Sequence, residues 1–118
     1  MEIRLKAKSS SRPEPYSVLF IWNNKTLSVN CDCQAGELGQ LCKHKLAFLQ
    51  NDSSMLFDSK QSEELNNVYT WVKSTSFSDL LNELGQTERE TEKAIANAKK
   101  QLSAAKHKLA RLLKEGIK

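Results

Sequence analysis

The sequence predicts an α+β chain: a small antiparallel β-sheet with a cysteine-rich knuckle and a short helix, then a helical region ending in one long helix. Three observations predict it. Apolar and polar residues alternate from Met1 to Lys8, and an aromatic and β-branched run follows at Tyr16–Trp22; both are strand patterns. All three cysteines and one of the two histidines fall between residues 31 and 44. Thr91, Ile95, Ala98, Leu102, Ala105, Leu109 and Leu112 are spaced 4-3-4-3-4-3, the heptad period of a helix with a single apolar seam.

Met1, Ile3, Leu5 and Ala7 form one face of the first strand, with Glu2, Arg4, Lys6 and Lys8 on the other. Ser9–Pro15 reads as a loop, because Pro13 and Pro15 exclude regular pairing. Tyr16–Trp22 is the central strand and Asn23-Asn24-Lys25 a turn, since Asn tolerates positive φ. Leu27–Asn30 returns beside it. Leu27, Val29, Cys31 and Cys33 share one parity, so a strand continued that far sends both thiols to the core face. Gln34–Leu41 turns back on itself with help from Gly36 and Gly39. Lys43–Gln50 is a short helix with His44, Ala47 and Phe48 near one face and Leu46 and Leu49 reaching the core.

Met55-Leu56-Phe57 is an apolar patch expected to dock on the sheet module. Ser59 and Ser62 are candidate caps for a helix whose stripe is Leu65, Val68, Tyr69 and Val72; Trp71 lies off that stripe. Ser76-x-x-Asp79 opens a second short helix over Leu80, Leu81 and Leu84, and Gly85 suits its stop. Thr87-x-x-Glu90 is a capping box that starts the last helix, which ends near Glu115 with Gly116 beyond it. The organisation is therefore 1–50, a metal-binding ββα module; 51–86, short helices packing on it; and 87–118, a long basic heptad helix. The seam alternates large residues with Ala98 and Ala105, so a partner helix could approach closely. That partner is one of the chain's own helices or a second copy; a homodimer through residues 91–112 is the preferred expectation, because the helix outruns what residues 60–84 could cover.

Hydrophobic residues make up 39% of the 118 and charged residues 27%, so the core is small and a metal would supply stability that burial lacks. Three cysteines cannot complete a disulfide framework. The first residues, MEIRLKAK, contain no apolar stretch of the signal-peptide kind. No run approaches the roughly 18 apolar residues of a membrane span. A cytoplasmic, reducing setting without membrane contact is the expectation. The net charge of +4 is segregated. Residues 1–50 carry seven Lys/Arg against four Asp/Glu (+3), residues 51–88 two against seven (−5), and residues 89–118 nine against three (+6). Basic ends around an acidic middle suggest a polyanionic partner.

Cys31, Cys33, Cys42 and His44 stand as C-x-C-x8-C-x-H, three thiols and an imidazole, the donor types of a tetrahedral structural Zn2+ site. Four protein donors leave no open position for a catalytic water, so one structural Zn2+ and no enzymatic activity are expected. A redox reading of Cys31-x-Cys33 leaves Cys42 and His44 unexplained. There are no paired carboxylates, nucleophile elbow or phosphate loop, and Asp52 and Asp58 lack the companions of a metal-dependent nuclease.

The ligand pattern, with a hairpin before it and a short helix after it, resembles the SWIM-type zinc finger. Cys33-Gln34-Ala35-Gly36 and Leu41-Cys42-Lys43-His44-Lys45-Leu46-Ala47 carry the resemblance, over about residues 16–50. The layout of residues 51–118 is similar to small bacterial proteins of this kind with helices after the finger. The resemblance implies binding of DNA or of proteins. Lys43 and Lys45, with Arg4, Lys6, Lys8 and Arg12, are then candidates for phosphate contact. Lys99, Lys100, Lys106, Lys108, Arg111 and Lys114 form a second basic set on the long helix. Nucleic acid, DNA preferred, is the first partner expected, and an adaptor role through the heptad helix the alternative. Among Trp22, Tyr69 and Trp71, only Trp71 lies where it could stack on bases, and packing in the core or an interface is the preferred expectation for it too.

Overall fold

Alternation in the first residues becomes β1 (Glu2–Ala7), and the aromatic run becomes β2 (Tyr16–Asn23) at the centre of a three-stranded antiparallel sheet completed by β3 (Thr26–Cys31). The computed structural model describes all residues, Met1–Lys118. Leu5 pairs with Val18 and Val18 with Cys31, while Ile3 pairs with Phe20 and Phe20 with Val29. One face therefore collects the apolar side chains of all three strands, with Leu5, Ala7, Val18 and Phe20 fully buried. The hairpin loop is shorter than the sequence suggested. Asn23 pairs with Thr26, and only Asn24 (φ 50°) and Lys25 (φ 63°) turn, the two-residue left-handed turn whose twist suits flanking strands.

The inner face is covered by α2 (Lys43–Leu49) and α3 (Ser62–Lys73). From α2 the buried residues are His44, Phe48 and Leu49. Phe48 takes the deep position expected of Leu46, packing on Phe20 at 6.4 Å between ring centroids, because it lies one turn after His44 and shares its inward direction. Met55–Phe57 docks as expected, and it does so by extending the sheet. Lys8 N–H donates to the Met55 carbonyl (2.8 Å) and Phe57 N–H to the Lys6 carbonyl (2.9 Å), with buried Leu56 between. The Gln61 side chain continues that edge, accepting from Lys6 N–H at 2.9 Å and donating to the Arg4 carbonyl at 3.0 Å.

Two assignments in the helical part change. Ser59 and Ser62 do not cap α3: no side chain caps it, and the Ser62 hydroxyl donates to the Ser59 carbonyl. Asp52 and Asp58 cap the short 3-10 turns Ser53–Met55 and Ser59–Gln61 instead, because an ionised carboxylate accepts amide protons more strongly than a hydroxyl. Leu65, Val68 and Val72 bury the predicted stripe. Trp71 packs within the unit, as preferred over a base-stacking role: it stacks on Trp22, with ring centroids 6.3 Å apart and an interplanar angle of 6°.

The second change is larger. The short helix ending at Gly85 and the long helix starting at Thr87 are one helix, α4 (Phe77–Glu115). Gly85 has no positive φ, and the Thr87 hydroxyl donates back to the Glu83 carbonyl as in a helix interior. One interior glycine costs about 1 kcal/mol, too little to stop a helix whose neighbours are mostly strong helix formers. Gly116 (φ 108°) does end it, its N–H donating to the Leu112 carbonyl. The chain divides into two compact units, Met1–Ser78 and Asp79–Lys118. No helix is long and apolar enough to cross a membrane.

Candidate metal centre

Cys31 closes β3, and strand parity turns its side chain inward beside Val18, as its place in the alternation required. Cys33 lies past the strand end, so its burial comes from a turn. Asp32 builds that turn: its N–H donates to the Ser17 carbonyl (3.1 Å) and its carboxylate accepts from Ser17 N–H (2.8 Å), clasping the segment to β2. Cys33 then caps α1 (Gln34–Glu37), its sulfur accepting from Gly36 N–H at 3.3 Å. Cys42 caps α2 in the same way, accepting from Lys45 N–H at 3.4 Å. His44 enters from the first turn of α2. Each Cys-x-X half of the motif is thus a chain turn that points two donors into one space.

The four donor atoms lie within 4.8 Å of one another and all four residues are buried. The cysteines are free. Cys31 Sγ and His44 Nδ1 are 3.7 Å apart. A tetrahedral ion bound at the usual Zn–S and Zn–N lengths sets its donors roughly 3.6–3.8 Å apart, so the cluster is compatible with one metal ion. His44 is also in the right form. Its Nε2 lies 3.1 Å from the Lys8 carbonyl; a carbonyl only accepts, so Nε2 carries the proton and Nδ1 presents its lone pair to the thiols.

The electrostatics favour a cation. Burial pushes the Cys31 thiol up to about 12, and the neighbouring thiols Cys33 and Cys42 add to that. Burial also works against ionising Cys33, but the Gly36 N–H bond, with Cys31 and Cys42 as hydrogen-bond partners, outweighs it and lowers its pKa. Burial lowers His44, which keeps its imidazole neutral near pH 7. The Cys33 thiol is thus shifted towards ionisation and the Cys31 thiol away from it, chiefly by burial; a divalent ion bound among them would favour the thiolate form of both.

Around the centre the segment 8–16 forms a rim. The Tyr16 ring lies 5.1 Å from the His44 ring, the Arg12 guanidinium sits 4.0 Å over Tyr16, and Lys43 Nζ donates to Ser10 Oγ at 3.3 Å. Ser11 and Ser9 hold the Tyr16 phenol below its usual value. Of the basic residues named from sequence, Arg12, Lys43 and the Lys8 backbone thus meet at the site, and half-buried Lys45 follows in α2. Arg4 and Lys6 alternate with buried Leu5 and Ala7 and leave from the outer face of the sheet, where Arg4 donates to Ser17 Oγ (2.9 Å). Lys99, Lys100, Lys106 and Arg111 are exposed on α4, in the second unit.

Sequence reasoning missed two contributors, Asp32 and the Lys8 carbonyl. Asp32 was visible only as the spacer in Cys-x-Cys, and a backbone carbonyl leaves no trace in residue type. In comparisons with known proteins, no family model, no curated protein and no solved structure matches the chain.

Proposed function

We propose that this protein is a zinc-stabilised, non-enzymatic module of the SWIM-like kind that binds nucleic acid, DNA in preference to RNA. Zn2+ suits three thiolates and an imidazole better than harder ions do, and four protein donors leave it without a position for substrate water. The metal's role is then to hold residues 8–16, 31–33 and 42–44 together. The observation that carries the reading is the basic rim so assembled. Arg12, pinned over Tyr16 beside His44, and Lys43, tied to Ser10, come from distant parts of the sequence and present fixed cations around one centre. Cations held by ring stacking and hydroxyl contact lose less freedom on meeting phosphates than free surface lysines do. The charge of +6 over residues 89–118 offers a second polyanion-binding stretch.

Such contacts position a nucleic-acid backbone and read little sequence. Anisotropy titration of the zinc-loaded protein with duplex and single-stranded DNA should show duplex binding that weakens steeply with salt. Arg12→Gln with Lys43→Gln should reduce the salt slope by about one for each phosphate no longer neutralised. Absence of binding at low salt would reject the proposal. It would leave the adaptor reading, in which the uncovered heptad face of α4 docks protein.

A further inference from the structure

The continuity of α4 across Gly85 changes what its apolar face can do. Because the helix does not stop, the heptad register runs upstream of Thr91 without a break. From Leu81 the spacing continues through Leu84 and Glu88 to Thr91, and on to Leu112, as 3-4-3-4-3-4-3-4-3. Ten seam positions result, and only Glu88 and Thr91 are polar. The seam is open: Ile95 is 48% exposed, Leu102 57% and Leu109 55%. Leu81 is half-buried, and from Leu84 to Leu112 every seam residue is exposed.

We infer that α4 is a homodimerisation element in which two copies pack antiparallel, with Ile95 level with the partner's Ala98. The charges flanking the seam select the orientation and the register. A parallel pair would set Glu88 against the partner's Glu88 inside the seam. It would also place Glu92 beside the partner's Thr87, Lys99 beside the partner's Ala94 and Lys106 beside the partner's Gln101, so no ion pair forms. An antiparallel pair brings equivalent flanks together. With Ile95 level with the partner's Ala98, Glu92 faces the partner's Lys99 and Glu88 lies level with the partner's Lys106, each twice by symmetry. Sliding one heptad one way opposes Lys99 to the partner's Lys99; sliding the other way opposes Glu92 to the partner's Glu92.

Packing chooses the same register. All ten seam positions find a partner: Leu81 meets the partner's Leu112, Leu84 meets Leu109 of the partner subunit, and Thr91 meets the partner's Leu102. Ile95 lies over the partner's Ala98, and the aliphatic stem of Glu88 over the partner's Ala105. Large residues thus face small ones at the middle, which lets the two backbones approach closely, while Leu meets Leu at both ends. The two helix N-termini, each leading back to a metal-binding unit, then lie at opposite ends of a rod of about 58 Å. This inference depends on neither the metal nor nucleic acid.

Sedimentation velocity of the full chain, zinc-loaded, over a range of concentrations should give a dimer. Glu92→Lys turns two attractions into two repulsions and should weaken the dimer by about tenfold. Glu92→Lys combined with Lys99→Glu should restore it, which separates pairing from helix folding. Carbodiimide coupling of a mixture of unlabelled and isotope-labelled chains should yield a mixed-label link between Glu92 and Lys99. A monomer at every soluble concentration would overturn the inference. So would a dimer indifferent to Glu92→Lys, one that the double variant fails to restore, or coupling without the mixed link.

Discussion

Gly36 shows what a single residue contributes to the metal centre. Its φ is not positive, so the turning role expected of it from sequence belongs to Gly39 (φ 74°) alone. Its reason is proximity: a Cβ there would overlap the Cys31 carbonyl and come within 2.9 Å of Cys31 Cβ. The α1 turn can press Cys33 against Cys31 only because residue 36 lacks a side chain. Gly36→Ala should therefore push the two thiols apart, costing about 1–3 kcal/mol and weakening metal binding. Denaturant melts with a chelator competition would check this, and an unchanged midpoint with unchanged affinity would contradict it. His44 makes a related point. Its type and spacing were readable as a ligand, but the Lys8 carbonyl that fixes its tautomer was not.

At the scale of elements, strands were legible and helix junctions were not. β1, β2 and β3 follow period-2 patterns that burial on one face enforces, so their positions and the inward turn of Cys31 could be read directly. The boundary at residues 85–87 rested on local signals, a glycine and a capping box, and each was outweighed. Thr87 uses its hydroxyl on the Glu83 carbonyl, and Gly85 has only the flexible end of Arg89 near the place of a Cβ, at 3.4 Å. Gly85→Ala should accordingly raise helix content and stabilise α4 by about 0.5–1 kcal/mol, as measured by circular dichroism through thermal unfolding. A helix that stopped at Gly85 would instead lose stability from that substitution.

For the whole molecule, the metal centre and the core are one structure in the first unit. Cys31, Cys33 and Cys42 belong to the same buried cluster as Phe20, Phe48, Leu56, Leu65 and Val68, so an ion held by the cysteines would stabilise the unit as far as α3. Chelation, or Cys42→Ser, should melt Met1–Ser78 while much of the α4 signal persists. Trp22 and Trp71 are the only tryptophans and both lie in that unit, so fluorescence follows it separately from far-ultraviolet circular dichroism. Retention of the native tryptophan signal after complete metal removal would refute that dependence.

The sequence alone determined the parts that rest on periodicity and donor chemistry: an α+β chain, a three-stranded core face, four metal-ligand candidates and a heptad seam. Those features repeat or cluster along the chain, so residue type and spacing carry them. Tertiary structure decided what depends on distant segments meeting. It consumed Trp71 against Trp22, gave Phe48 the core position, recruited Asp32 and the Lys8 carbonyl to the centre, and set Arg12 and Lys43 around it. The continuity of α4 is a different case, local but cooperative: hydrogen bonding that continues on both sides of Gly85 exceeds what that single residue costs.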